Sequence, residues 1–195
     1  MGARRLDGDR TAELLDGAMA VFAARGFAEL RMTDLAGELR CSTGTLYKLA
    51  ANKDSLVLLC LDRWAATTLR EMSFAADAQA DPLTRARTYW SEMLARVGQL
   101  TLKFRGDVER YESTRRQWLR TSDQFIERFS VYLATAMDAG ELRRMHPRLL
   151  AELLRHISGL LRDAELLADL NMTTSQAFQE IDRFVWHGLE VGQGV

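Results

Sequence analysis

Apolar side chains return every three or four positions along almost the whole chain, and no convincing period-two alternation appears. That spacing predicts helices throughout. Leu14, Leu15, Ala18, Val21 and Phe22 form one stripe, closed by Gly26, and predict a helix over about 9–25. Two short segments follow, about 32–39 and 43–49, separated by Arg40, Cys41 and Ser42. Ser42 is placed to accept the free N–H groups at the start of the second. Asn52 caps a longer helix from Lys53 to about Ala76, with Leu56, Leu59, Cys60 and Trp64 facing inward. Asp81-Pro82 starts the next, which runs to about Lys103. Gly106 interrupts the pattern, so a short helix over about 107–117 and a longer one over about 121–139 are expected, the latter stopping at Gly140. Pro147 opens a helix reaching about Leu170, and Thr173 or Thr174 caps a last one to about Leu189. The expected fold is all-α with about nine helices. Three of them form an N-terminal unit over residues 1–52, followed by a larger helical bundle over 53–195.

Composition narrows the class. Of 195 residues, 47% are apolar and 27% charged, which are globular values. Cys41 and Cys60 cannot make a disulfide framework, and two free thiols suit a reducing compartment. Met1 to Arg10 is charged and lacks the apolar stretch of a signal peptide, so a cytoplasmic protein is expected. The longest strongly apolar run, Leu56 to Leu61, is far short of the ~20 residues that span a bilayer, and no membrane partner is expected. With 26 basic residues against 27 acidic, net charge gives no reason to expect a nucleic-acid partner. Locally the balance differs: from Leu39 to Lys53 stand Arg40, Lys48 and Lys53, and no acidic residue. Any positive field is therefore a stripe, and non-specific DNA binding is expected to be weak.

A helix followed by two short helices with a three-residue turn between them describes a helix-turn-helix unit. Its second helix can enter a DNA major groove, about 12 Å wide. In the segment Ser42 to Lys48, Thr43 and Thr45 carry short hydroxyls that allow close approach to base edges. Gly44 removes a blocking side chain, Tyr47 and Lys48 add reach, and Leu46 faces inward. Spacing alone fits a structural helical hairpin as well.

The wording of the segment goes further. Gly26-Phe27, then Asp34-Leu35-Ala36, then Ser42-Thr43-Gly44-Thr45-Leu46-Tyr47, then Asn52-Lys53-Asp54-Ser55-Leu56, resembles the N-terminal signature of the TetR family of bacterial transcriptional regulators. The likeness covers about residues 9–64; beyond it, only the helical layout and landmarks such as Ala139 to Arg143 are similar. The resemblance implies a ligand-responsive regulator of transcription, a repressor that binds a pseudo-palindromic operator as a homodimer and is released by a small molecule. It assigns groove contacts to Thr43, Gly44, Thr45 and Lys48, and phosphate contacts to Ser42, Tyr47 and Lys53, the last at a helix N-terminus. Three positions depart from the family pattern. Arg40 replaces the usual turn Gly, Ala50 replaces an aromatic, and Arg31 stands where Ser or Thr usually caps the second helix. Arg31 could itself meet a phosphate, or Thr33 could cap a shorter helix. These departures motivate a second reading, a helical ligand-binding or interaction protein without specific DNA binding.

In the larger bundle, Trp90, Met93, Trp118, Phe125, Phe129 and Tyr132 are candidates to line an apolar ligand cavity, or are plain core. Tyr89, Glu92, Arg155 and His156 are polar candidates to orient a ligand, with solvated or salt-bridged surface as the ordinary reading. Two neighbouring apolar stripes on the helix from Pro147 and one on the last helix offer a four-helix dimer face. Its expected residues are Leu153, Ile157, Leu160, Leu161, Ile181, Phe184, Val185 and Gly188. No phosphate loop, His-Glu-x-x-His or Gly-x-Ser-x-Gly occurs, and the three histidines are far apart. No enzymatic activity, cofactor or metal is expected.

Overall fold

A computed structural model describes residues 8–160 and 164–189. Among them the chain is all-α, with ten helices and no strand: α1 (Gly8–Arg25), α2 (Met32–Glu38), α3 (Thr43–Leu49), α4 (Lys53–Asp77), α5 (Pro82–Gly98), α6 (Leu102–Arg110), α7 (Glu112–Asp138), α8 (Pro147–Leu160), α9 (Ala164–Asp169) and α10 (Thr174–Leu189). The chain divides into two compact units. The first holds the described residues up to Glu71 together with Ala95–Ser122, and the second Met72–Leu94 with the described residues from Asp123 on. Helices α4, α5 and α7 contribute to both.

The first unit is built on one apolar cluster. Phe22 from α1, Leu35 from α2, Leu46 from α3, Leu56 and Leu61 from α4 and Phe104 from α6 are fully buried in it. Each such side chain contributes about 1.5–3 kcal/mol through burial. Ala50 joins the cluster, so the missing aromatic leaves a small buried residue in place of a ring. Leu59, expected inward, is exposed; Leu56, Val57, Cys60 and Leu61 form the buried face of α4 instead. Burial pushes the Cys60 thiol up to about 12, which keeps it protonated at neutral pH.

Segment boundaries differ from the sequence expectation between 98 and 121. Helix α5 stops at Gly98, and Gly106 lies inside α6, with open space around its Cα. The break falls at Thr101, whose extended backbone caps α6 while its hydroxyl accepts the Phe104 N–H. The N–H and hydroxyl of Thr101 both donate to the Ala23 carbonyl at the end of α1 (3.1 and 2.7 Å). That tertiary tie, invisible in a helical period, ends one helix and starts the next. Helix α7 likewise starts at Glu112, not 121, because the buried Thr114 hydroxyl donates to the carbonyls of Val108 and Tyr111 and so satisfies the end of α6. The helix expected over 147–170 is represented by α8 and α9, residues 161–163 lying outside the described ones.

In the second unit, α5 and α7 meet through a run of rings. Tyr89 stacks on Phe129 at 5.9 Å, Trp90 on Phe129 at 5.4 Å, and Tyr132 lies 5.2 Å from Tyr89. Tyr89, expected at the surface, is fully buried and donates to the Phe125 carbonyl at 3.0 Å. Burial raises its pKa, as it does that of Tyr132, which donates to Asp77 at 2.8 Å. Gly140 ends α7 in the left-handed region (φ 77°), and the Glu141 N–H then closes onto the Ala136 carbonyl. The Glu141 carboxylate accepts the Leu83 N–H at 2.6 Å, and Asp81 accepts that of Thr84 at 2.7 Å, so both orphan donors at the start of α5 are satisfied.

Candidate nucleic-acid interface

Helices α2 and α3 have the bounds that the pattern predicts to within one residue, and the turn between them is where the sequence is strained. Arg40 has φ 49°, the left-handed region that disfavours a side chain. The Arg40 N–H reaches the Gly37 carbonyl and the Cys41 N–H the Ala36 carbonyl, so α2 ends in a wrapped turn that needs that conformation. Arg40→Gly is therefore expected to stabilise the protein by about 1 kcal/mol, read as a higher urea midpoint at unchanged m-value.

Ser42 takes up an extended backbone (φ −78°, ψ 149°) and caps α3. Its hydroxyl accepts the Thr45 N–H at 3.1 Å and pairs with the Thr45 hydroxyl at 2.8 Å. Leu46 is fully buried and pins the helix to the core. Around that anchor Ser42, Gly44, Tyr47 and Lys48 are exposed and Thr43 and Thr45 half-buried, with Tyr47 52% exposed. A Cβ on Gly44 would meet nothing nearer than the Ser42 hydroxyl at 3.7 Å, so the protein's own packing does not require glycine there. Gly44→Ala is expected to leave the fold intact and to add about 0.5–1 kcal/mol of helix stability. If α3 enters a groove, the same methyl weakens DNA binding, so opposite signs in thermal melts and DNA titrations are the expected pair of results.

Helix α2 begins at Met32, with Arg31 at the cap, so Thr33 lies within the first turn and does not cap a shorter helix. An arginine side chain cannot accept a hydrogen bond; only the reciprocal half of the cap is made, the Asp34 carboxylate accepting the Arg31 N–H at 3.2 Å. Arg31 and Thr33 are both exposed.

Lys53 is placed differently from the phosphate role that the signature assigned. Its Nζ donates to the carbonyls of Phe27 at 2.9 Å, Ala28 at 2.7 Å and Leu30 at 3.1 Å. An ammonium has three donors, and all three are engaged within the protein. Asn52 caps α4 by accepting the Ser55 N–H at 2.8 Å.

The ligand candidates do not all meet. Trp90, Met93, Phe125, Phe129 and Tyr132 are buried in the second unit. Trp118 belongs to the first, stacked on Trp64 at 5.8 Å. His156 is exposed on α8, with Nδ1 2.8 Å from the Glu152 carbonyl, and Arg155 pairs with the Glu152 carboxylate at 2.7 Å. The second unit has an open cavity of about 680 Å³ between α5 and α10, bordered by Arg87, Ser91, Asp182 and Trp186, which the sequence reading did not single out.

On α8, Leu150, Ala151 and Leu154 face the unit's interior while Leu149 and Leu153 are exposed, and Ile157 is half-buried. On α10, Val185 is buried and Ile181 packs toward Leu167 and Ala177, whereas Phe184 is 80% exposed and Gly188 open. Val185 and Ile181 thus serve the chain's own core. The side chain of Leu160 and the whole of Leu161 lie outside the described residues. No group of His, Cys, Asp and Glu that could hold a metal occurs among the described residues. No helix there is long and apolar enough to cross a membrane.

Residues 14–60 match the family described as bacterial regulatory proteins, tetR family. The uncharacterized HTH-type transcriptional regulator YfiR of Bacillus subtilis is 26% identical over 147 residues, 71% of this chain and 70% of that protein. A Saccharomonospora viridis protein, solved in complex with choline, superposes with a TM-score of 0.79 at 18% identity, covering 95% of this chain and all (100%) of that one. A TetR transcription regulator from Haloarcula marismortui does so with a TM-score of 0.76 at 16% identity, again over 95% of this chain and 100% of that one.

Proposed function

We propose that the chain, whose residues 14–60 match the TetR family, is a ligand-released repressor of that family that binds a pseudo-palindromic operator as a homodimer. Residues 1–52 are then the DNA reader and 53–195 the sensing and dimerising part. The observation that carries the proposal is α3: a buried Leu46 anchors a helix on which Gly44, Tyr47 and Lys48 are exposed and Thr43 and Thr45 half-buried, and Thr43, Gly44, Thr45 and Lys48 are assigned to base edges. Ser42 and Tyr47 are assigned to phosphates, as are Arg31 and Thr33 at the start of α2. Lys53, spent on three carbonyls, receives no DNA contact.

Two reading helices must lie about 34 Å apart to address successive major grooves, so a dimer sets the operator's symmetry. The exposed apolar residues of α8 and α10, Leu149, Leu153, Phe184 and Gly188, are proposed as that dimer's face. A small molecule bound among Trp90, Met93, Phe125, Phe129 and Tyr132 would favour one packing of α4, α5 and α7 and change the separation of the readers. Aromatic faces attract apolar and cationic ligands, so choline is a reasonable first probe. No enzymatic step enters this cycle.

The test is a gel-shift titration of the purified protein against the DNA flanking its own coding sequence, at physiological salt. Retention of one fragment that carries an inverted repeat, at protein concentrations where a scrambled fragment stays free, is the expected result. No selective retention of any genomic fragment would reject the repressor and favour a helical binding protein without DNA specificity.

A further inference from the structure

The turn between α1 and α2 is gripped at the same two residues from two different helices. On α6, the Asp107 carboxylate accepts the N–H groups of Phe27 at 2.6 Å and Ala28 at 2.9 Å. At the first position of α4, Lys53 donates to the carbonyls of these same residues, at 2.9 and 2.7 Å, and to that of Leu30. Both the donor and the acceptor of each residue are thus bound to a charged side chain, negative on one side and positive on the other. Gly26 stands directly before them with φ 77°, and a Cβ there would come 2.4 Å from Asp107 Oδ2, so the carboxylate occupies the space that a side chain at this position would need. Lys103 of α6 also pairs with Glu29 of the turn at 2.8 Å, and the Phe27 ring meets Phe104 of α6 edge-on at 5.9 Å.

Apolar packing would hold such a turn while letting helices slide. Charged hydrogen bonds are directional and short, and burying the Asp107 carboxylate is costly unless such bonds are made. We propose that Asp107 and Lys53 are positioning residues for DNA binding. Through Phe27 and Ala28 they fix the turn that orients α2 and α3 against α6 and α4, so that a shift of either helix reaches the reading helix. The proposal rests on the DNA-reading role of α3.

Asp107→Asn and Lys53→Met, singly and together in the full chain, test it. The readouts are operator affinity at several salt concentrations, thermal melts, and amide exchange at Phe27 and Ala28. Each folded single variant is expected to bind operator about 5- to 30-fold more weakly. The double variant should lose less than the product of the single losses, because both act on one element. For Lys53→Met, the slope of log affinity against log salt is expected to stay unchanged. A slope reduced by about one unit per chain would make Lys53 a phosphate contact and overturn its positioning role. Unchanged affinity in both singles, or losses that simply multiply, would overturn the proposal too. Should Asp107→Asn fail to fold, Lys53→Arg carries the same test, since it keeps the charge but cannot place three donors from one atom. If the wild-type protein binds no operator, the DNA-reading role has failed, and exchange still decides the mechanical part. Faster exchange at Phe27 and Ala28 in Lys53→Met, which touches only their carbonyls, supports coupling through the turn, and unchanged exchange refutes it.

Discussion

Tyr47→Ala combined with Lys48→Ala is expected to weaken operator binding by more than about 100-fold while the protein stays folded. The magnitude follows from two lost contacts in each half-site, a good base contact alone being worth about 1–3 kcal/mol. Both side chains are exposed, and neither belongs to the core around Leu46. Substitutions of that kind change stability by about 0.5 kcal/mol or less, so the melting temperature should move by only a few degrees. A gel-shift titration and a circular-dichroism melt of the same preparation check the two halves. Retained affinity would remove α3 from the interface. A large drop in melting temperature would make the loss of binding a folding effect.

Phe184→Asp with Leu153→Asp is expected to leave only monomer at micromolar concentration in sedimentation velocity, and to abolish binding to a two-half-site operator. The exposure of Phe184 at 80% and of Leu153 at 46% is the reason for choosing them. An exposed apolar side chain can be charged without harming its own chain, whereas a charge placed in a dimer face must be desolvated without a partner. Val185, buried within the chain, would be the wrong choice, because its replacement would damage the fold first. A variant that remains dimeric would place the dimer face elsewhere. A monomer that binds operator with undiminished affinity would show that pairing is not what delivers affinity.

These residue choices show how unevenly the site was legible. The α3 segment could be read almost in full, since a cap, a buried Leu and exposed small or basic residues are separated by fixed local spacing. Leu149 and Leu153 could not be told from Leu150 and Leu154 by pattern. Both pairs repeat at four residues on α8, and only the rest of the unit decides which faces inward. Trp118 and Trp90 look alike in the sequence, each an aromatic residue in a helical segment. The actual partner of Trp118, Trp64, is 54 positions away, at a separation on which helical period is silent.

Lys53 and Asp107 mark the same boundary most sharply. A basic residue at a helix start near a DNA-reading segment has the local attributes of a phosphate contact, and Asp107 has those of a solvated charge. Their roles depend on a turn 25–26 residues before Lys53 and 79–80 before Asp107. By itself the sequence determined the helical class and the bounds of α2 and α3 with the Ser42 cap between them. These rest on i to i+4 periodicity and capping, which act within a few residues. Tertiary structure alone decided where α5, α6 and α7 begin and end, which leucines face out, and that Lys53 holds protein rather than being free for phosphate. Those outcomes are set by hydrogen bonds and burial between segments distant in the chain, where local propensity has no preference to express.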